Sequence, residues 1–213
     1  ARRVHDARGA GGARSPMNAL RDGVALAVNA GSSSLKCGLY ARQGAALWTG
    51  TYEGLEPGGT PRLKLDGQAQ PLDGEGDGFD AALAHLCRFL GSHPQPLVAV
   101  AHRIVHGGDR CVAPLRVDEA HLAYLETLSP LAPLHQPHNV QGVRAFGRML
   151  PGVPQVGCFD TAFHATLPLL ERRLPLPAAL DAQGLRRYGF HGLSYQYVTG
   201  DRKSTRLNSS HTD

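Results

Sequence analysis

Small and hydroxylated residues follow the first apolar run of the chain, in the string NAGSSSLK at positions 29–36. Such residues let the backbone turn closely around an anion, so that N–H groups and hydroxyls can hold phosphate oxygens, and Lys36 adds a positive charge. The string lacks the GxxxxGK[ST] order of a Walker A loop and the GxSxG order of a nucleophile elbow. It therefore indicates either a phosphate-binding turn of another kind or a serine-rich hairpin turn without a ligand.

Charged residues end two further apolar runs. Arg103 lies in AHRIVHGGDR (101–110), and its planar guanidinium can bind a carboxylate or a phosphate through two hydrogen bonds. Asp160 lies in GCFDTAFH (157–164), just past a predicted strand, where α/β sheets meet their ligands. Each residue also has a structural alternative: Arg103 could form a salt bridge across the domain, and Asp160 could cap the next helix.

Histidines stand in three of these strings. His191 in RRYGFHG could donate a hydrogen bond to a transferring phosphoryl group, or be a loop histidine with local partners. His135 and His138 lie in PLHQPHN, which its prolines predict as a loop. His102 and His106 are four residues apart, a spacing that puts two side chains on one face only in a helix. Because their segment is predicted as strand and glycine turn, a metal site there is not favoured.

Together these strings supply a small-residue turn, an arginine, histidines and a carboxylate at a strand end. A second arginine-bearing segment and a nucleotide-binding loop are not found among them. Since phosphoryl transfer depends on positioning and charge neutralisation, the set fits half of a phosphoryl-transfer site.

The elements that must position these residues are strand-rich first and alternating afterwards. Apolar runs and turn residues predict strands at 24–28, 35–40, 46–52, 62–65, 97–105 and 156–158. Helical spacing predicts helices at 79–90, 118–128 and 138–149, and a further helix that begins after Gly192. A hairpin sheet followed by βα alternation predicts an α/β fold.

Composition and charge exclude several classes of protein. The chain has 213 residues, of which 42% are hydrophobic and 19% charged, enough for a core and too apolar for disorder. Its longest apolar runs, such as VALAV at 24–28, are too short to cross a membrane. The net charge of +4 comes from the ends, because residues 17–199 are balanced. A nucleic-acid binder, which needs basic charge on the folded body, is therefore not favoured.

Both ends differ in character from the rest. Residues 1–16 lack the apolar region of a secretory signal; they could be an Arg-rich transit peptide, but translated upstream DNA before Met17 is favoured. Residues 200–213 are polar and resemble translated sequencing-adapter DNA. The expected organisation is a non-native or disordered extension over 1–22, one domain over 23–199 and a non-native tail over 200–213. The four cysteines form no CxxC pair and are expected as thiols in a reducing cytosol.

The strings VNAGSSSLK, HRIVHGG, LAPLHQPHN, CFDTAFH and RRYGFHG stand in the order and spacing of the acetate kinase family, and the similarity runs from about Val24 to Val198. The resemblance implies the N-terminal half of a family chain, with a ribonuclease-H-like domain of the acetate and sugar kinase, Hsc70 and actin superfamily. It implies transfer of phosphate between ATP and acetate, which gives acetyl phosphate and ADP, with Mg²⁺. It also implies a cytoplasmic protein that is a homodimer at full length, with no nucleic-acid or membrane partner.

The resemblance also implies roles on the phosphate side of the site. Asn29 would lie at the Mg²⁺ and the phosphate, with Ser32, Ser34 and Lys36 in the same turn. His191 would stabilise the phosphoryl group during transfer.

On the acetate side, Arg103 would hold the acetate carboxylate and the phosphoryl group, and Asp160 would orient the substrates. His135 resembles a further active-site histidine. Three residues would form the pocket for the acetate methyl group: Val105, Leu134 and Phe190.

Two alternatives to an acetate kinase remain open at this point. One methylene changes binding by only about 1–3 kcal/mol, so a propionate kinase of the same family is the first. A non-catalytic half-protein that binds a carboxylate or a phosphate is the second.

The family's second catalytic arginine, glycine-rich nucleotide loops and Mg²⁺-linked glutamate lie beyond this chain, and HGLSYQYV departs from the family's HGTSHxYV. The 213-residue polypeptide is therefore expected to have negligible kinase activity. Poor solubility is also expected, because half of a family chain would expose apolar surface of the cleft and the interface.

Overall fold

The computed structural model describes residues 23–42, 44–72 and 78–208. The described residues form one sheet with eight strands: β1 (Val24–Ala30), β2 (Ser34–Tyr40), β3 (Ala46–Glu53), β4 (Arg62–Leu65), β5 (Gln68–Gln70), β6 (Leu97–Ile104), β7 (Leu115–Arg116) and β8 (Gln155–Phe159). They also form six α-helices: α1 (Gly78–Ser92), α2 (Glu119–Thr127), α3 (Gln136–Met149), α4 (Leu169–Arg172), α5 (Ala178–Asp181) and α6 (Gly192–Asn208). Two 3₁₀ helices span Ser129–Leu131 and Ala162–Thr166.

The strand order is β5-β4-β3-β2-β1-β6-β8-β7. Strands β1 to β5 form an antiparallel meander, whereas β1, β6 and β8 run parallel to one another and β7 is antiparallel to β8. In the parallel register Val28 lies opposite His102, and Arg103 lies opposite Cys158. The carboxyl ends of three neighbouring strands thus meet at one edge of the sheet, which is where ligands bind in α/β proteins.

One face of the sheet packs against helices. In β1 the residues Val24, Leu26, Val28 and Ala30 are buried, and they form a core cluster with apolar residues of α1 and α3. A second cluster lies between the ends of β6 and β8, α2 and α3. The alternate residues of the parallel strands point to the other face and are half-buried, and Asn29 is one of them. The period of two along each strand therefore turns the polar strand-end residues away from this helix-packed core.

The α/β class is confirmed, and the predicted strands and long helices lie where the sequence placed them. The predictions missed β5, whose residues are all exposed, and β7, which has two residues. They also missed the two four-residue helices α4 and α5. Neither strand has the alternation of apolar and polar residues from which a strand is inferred.

The start of α3 corrects one prediction. The helix begins at Gln136, so His138 lies in its first turn and not in a loop. Pro137 lies in that first turn, where the missing N–H of proline costs no hydrogen bond.

Two predictions about the ends stay predictions. The expected extension over 1–22 lies outside the described residues, as do residues 209–213 of the expected tail. The expected domain end at 199 falls within α6. None of the helices in the described part of the chain is both long and apolar enough to cross a bilayer.

Candidate active site

A cavity of about 450 Å³ opens at the carboxyl ends of β1, β6 and β8. It is lined by Asn29, Ala30, Gly31, Ser34, Lys36, Arg103, Val105, Leu131, Ala132, His135, Asn139, Asp160, Phe190 and His191. Nine of the eleven predicted site residues are in this lining, and Ser32 and Leu134 are not. Segments far apart in sequence therefore meet at one site because the parallel strands end together.

A bidentate ion pair between Arg103 and Asp160 lies in the cavity. The arginine Nη2 lies 2.6 Å and its Nε 3.1 Å from Oδ2 of Asp160, whose side chain is 1% exposed. Asp160 follows β8, and its backbone N–H donates to the carbonyl of Ile104. The carboxylate binds Arg103, and the N-cap residue of the next 3₁₀ helix is Thr161, which makes no side-chain cap bond. The helix-cap alternative for Asp160 is therefore wrong.

The ion pair with Asp160 does not use Nη1 of Arg103. Arg103 Nη1 donates to Oδ1 of Asn29 at 3.4 Å, and the Arg103 side chain is 38% exposed. Because Nε and Nη2 are held by the carboxylate, the plane of the guanidinium is fixed, and Nη1 is directed to Asn29, which also lines the cavity. Arg103 thus forms the salt bridge that was its structural alternative, and it also lines the cavity.

The β1–β2 hairpin supplies the polar rim. Asn29 and Lys36 are cross-strand partners, which puts their side chains on the same face. The backbone N–H of Gly31 donates to the carbonyl of Ser34 at 2.8 Å and closes the turn. Ser32 is exposed in this turn and lines a neighbouring cavity with His138. The structure thus places Ser34, but not Ser32, beside Arg103.

The apolar wall differs from the expected one. Val105 and Phe190 line the cavity as expected, together with Leu131 and Ala132, which the sequence analysis did not assign. Leu134 is 75% exposed and is absent from the lining. It precedes His135, the residue before the first turn of α3, and His135 does line the cavity. Successive residues of a turn point in different directions, so a string of sequence does not show which of them faces a site.

Two buried amides of α3 hold the cavity backbone. Asn139 accepts a hydrogen bond from the Val105 N–H at 3.0 Å and donates to the Ala30 carbonyl at 2.8 Å. One turn earlier, Gln136 accepts from the His106 N–H and donates to the His106 carbonyl. Neither residue was predicted from the sequence. Residues three apart share a face of a helix, but this signal was hidden because the predicted helix began at 138, after Gln136.

The histidines of β6 and its following turn are interior residues. His102 Nε2 bonds Oε1 of Gln155 at 2.7 Å, and burial lowers the pKa of His102 to about 4 against the opposing effect of that bond. Burial also lowers the pKa of His106, whose Nδ1 accepts from the Gly108 N–H. The His106 ring packs edge-on against Tyr188 and Phe190. His106 therefore packs against Phe190 of the cavity wall without lining the cavity itself.

The cysteines are free thiols in the structure, and Cys37 and Cys111 are buried. Burial raises the pKa of Cys37 to about 12, so its sulfur stays protonated, and it donates weakly to the Gly50 carbonyl. The cysteines do not line the cavity.

Fold and site define an α/β protein with a cavity at the carboxyl ends of parallel strands that is lined by Lys36 and the Arg103–Asp160 pair. The chain belongs to the acetokinase family, whose model matches residues 24–213. It is 41% identical over 189 residues to the acetate kinase of Rhodopseudomonas palustris, with 83% of this chain and 47% of that protein covered. It is 42% identical over 180 residues to the acetate kinase of Deinococcus radiodurans, with 82% and 45% covered.

Two solved structures share the fold. A propionate kinase from Francisella tularensis matches with a TM-score of 0.80 at 29% identity, over 87% of this chain and 49% of that chain. The Porphyromonas gingivalis acetate kinase matches with a TM-score of 0.71 at 34% identity, with the same coverage. The chain thus spans about half the length of the relatives that it matches, and the resemblance drawn from the sequence strings is confirmed.

Proposed function

We propose that this chain provides the acetate- and phosphoryl-binding part of an acetate kinase, which reversibly transfers the γ-phosphoryl group of ATP to acetate. The observation that carries the proposal is the fixed Arg103–Asp160 pair in one cavity with Lys36 and His191. Membership of the acetokinase family and similarity to proteins named acetate kinase support it. On the same ground we expect the complete protein to be a cytoplasmic homodimer.

Arg103 is the residue best placed to bind the acetate carboxylate and the phosphoryl oxygens. Its orientation is set before a ligand arrives, so binding costs little reorganisation. Because Asp160 is occupied by this arginine, its role is to hold the guanidinium, not to accept a proton from a carboxylic acid. In the reaction, a carboxylate oxygen of acetate attacks the γ-phosphorus and the bond from phosphorus to ADP breaks. Arg103, Lys36 and His191 offset the charge on the phosphoryl oxygens.

Val105 and Phe190 form an apolar wall in the same cavity as Arg103. A carboxylate bound to the guanidinium would turn its alkyl group towards such a wall, where water is excluded. One additional methylene alters binding by only about 1–3 kcal/mol, so propionate is the second candidate substrate. The match to a propionate kinase structure favours keeping this alternative.

The donor set of the cavity fits Mg²⁺ that arrives with a nucleotide. Mg²⁺ takes oxygen ligands and typically binds to one or two protein groups, with phosphate oxygens and water completing its shell. The amide oxygen of Asn29 is such a group, and the described residues contain no cluster of three or more metal-ligating side chains. Asn29 would hold the ion. When bound, Mg²⁺ neutralises charge on the phosphates.

Ligand titrations of the 213-residue chain test the proposal. We expect acetyl phosphate to bind the wild-type chain and to bind Arg103→Ala about tenfold more weakly or worse, since hydrogen bonds to charged groups are lost. Arg116→Ala is the matched control, because Arg116 is an exposed arginine on β7 outside the cavity. Equal affinity of the Arg103→Ala and Arg116→Ala variants would contradict the proposal. Parallel titrations with acetate and propionate rank the two substrates.

A further inference from the structure

His191 has an unusual backbone conformation. Its φ is 57°, in the left-handed region, and it is one of two described non-glycine residues with positive φ. His191 is one of the residues that line the cavity. A non-glycine residue stays in this region only when its surroundings hold it there, and such residues concentrate at functional sites. The groups that hold His191 therefore bear on where its imidazole points.

Two contacts to the turn after β8 hold the residues on either side of His191. The Gly192 N–H donates to the carbonyl of Asp160 at 2.8 Å, and a Cβ at Gly192 would collide with that same carbonyl. On the other side, His164 Nε2 lies 3.1 Å from the carbonyl oxygen of Phe190. The segment 189–192 is thus fixed at both ends by residues 160–164.

The contact between His164 and Phe190 has a defined polarity. A carbonyl oxygen only accepts hydrogen bonds, so Nε2 of His164 must carry the proton and donate it. The ring also lies against Gly189, where a Cβ would come within 2.5 Å of it. Gly189 is not among the residues with positive φ, so its missing side chain serves the approach of His164 and not a special backbone conformation.

We infer that His164 is a positioning residue for His191: its Nε2–H holds the Phe190 carbonyl and keeps the next residue in the left-handed conformation that turns the His191 imidazole into the cavity. The inference rests on the proposed function only for what that imidazole then does, which is to donate to a phosphoryl oxygen. His164 itself is not in the cavity lining. It acts through the backbone of residues 189–192.

Packing is the competing role for His164, because its ring also lies edge-on to Phe163 and Tyr195. Two substitutions separate the roles. His164→Phe keeps an aromatic ring and removes the N–H donor, whereas His164→Gln keeps a donor of similar reach and removes the ring. Gly189→Ala leaves His164 unchanged, but the added methyl group displaces the His164 imidazole.

The test uses ¹H–¹³C NMR of the His191 Hε1–Cε1 signal in the ligand-free 213-residue chain, assigned by its loss in His191→Gln. We expect His164→Phe and Gly189→Ala to shift this signal in the same direction, and His164→Gln to leave it near its wild-type position. The indole signal of Trp48, the single tryptophan, reports on the folded core in every variant. If His164→Phe does not fold, the His191 signals of Gly189→Ala and His164→Gln decide whether His164 is a positioning residue.

A titration with inorganic phosphate gives the second readout. We expect phosphate to bind His164→Phe about fivefold more weakly than wild type, the equivalent of one hydrogen bond. A wild-type chain in which phosphate moves neither the His191 nor the Arg103 signals contradicts the proposed function, while the ligand-free His191 signal still decides the role of His164. An unshifted signal in folded His164→Phe, or equal shifts in the Phe and Gln variants, overturns the inference.

Discussion

The pairing of Arg103 with Asp160 shows how one residue can be structural and ligand-binding at once. The Asp160 carboxylate is 1% exposed, so it needs a charged partner inside the protein. Arg103 satisfies it through Nε and Nη2 and donates through Nη1 to Asn29, which lines the cavity. The buried carboxylate thereby fixes the direction of the group that we propose to bind the substrates.

His102 carries a pH dependence that can be measured. Burial lowers its pKa to about 4 from an ordinary value of 6.5, so it is neutral in the folded chain at pH 7. Between these two values the unfolded chain binds the additional proton, and stability therefore falls as the pH drops through the window. We expect a loss of about 2 kcal/mol between pH 7 and pH 5 from this residue.

Urea unfolding at a series of pH values checks this prediction. His102→Gln keeps a donor for Gln155 and is expected to flatten the slope between pH 4 and pH 6.5. His93→Gln is the control, since it removes a histidine from the turn after α1. The same slope in His102→Gln and the wild type would contradict the assignment. The remaining slope in His102→Gln belongs in part to His106, whose pKa burial also lowers.

At the scale of residues, the sequence predicts well which segments carry the chemistry. It predicts less well which side chains of those segments face the cavity. Arg103 and Asp160 could be predicted because both stand at ends of apolar strands. Ser32 and Leu134 could not be excluded, because neighbouring residues in a turn diverge and the string does not encode their directions. Asn139 was missed because an amide that binds backbone groups leaves no mark in charge or hydrophobicity patterns.

At the scale of elements, the first turn of α3 fixes the ends of two strands. Asn139 joins the carbonyl of Ala30, the last residue of β1, to the N–H of Val105, the residue after β6. Gln136 holds His106, the next residue. Asn139→Leu leaves a buried donor and a buried acceptor without partners. We expect a loss of about 2 kcal/mol or more in the free energy of unfolding, together with faster amide exchange at Val105.

Gln141→Leu is the matched control for Asn139→Leu, because Gln141 is an exposed amide on the same helix. It should change stability little. Asn139→Asp keeps the acceptor for Val105 and loses the donor to Ala30, so its exchange at Val105 should stay closer to wild type. If Asn139→Leu were no less stable than Gln141→Leu, α3 would not hold the strand ends through this amide.

Whether a strand or helix could be predicted depends on how clearly its sequence shows a periodic pattern of apolar residues. The buried strands of the sheet centre and the helices α1 to α3 bury one face against the core, and they could be predicted. The edge strands β5 and β7 bury little and have no such period. The start of α3 was placed too late because Pro137 was interpreted as part of a loop, although proline is also favoured in the first turn of a helix.

For the whole molecule, the parallel strands bring together residues separated by up to 162 positions in the chain, from Asn29 to His191. This convergence follows from the strand order, which places β1, β6 and β8 side by side. The order could not be read from the patterns alone, since they give elements and not neighbours. It was the resemblance to a family that implied it.

The chain spans about half the length of the relatives that it matches. We propose that the strings that carry its chemistry form the acetate and phosphoryl side of the site. Phosphoryl transfer needs donor and acceptor held in line, so a polypeptide that binds only one side gains little rate. We therefore predict that the 213-residue polypeptide binds acetyl phosphate but forms none above background from Mg²⁺-ATP and acetate. Trapping of acetyl phosphate with hydroxylamine measures this, with Arg103→Ala as the control. Acetate-dependent product that Arg103→Ala abolishes would show that these residues suffice for transfer.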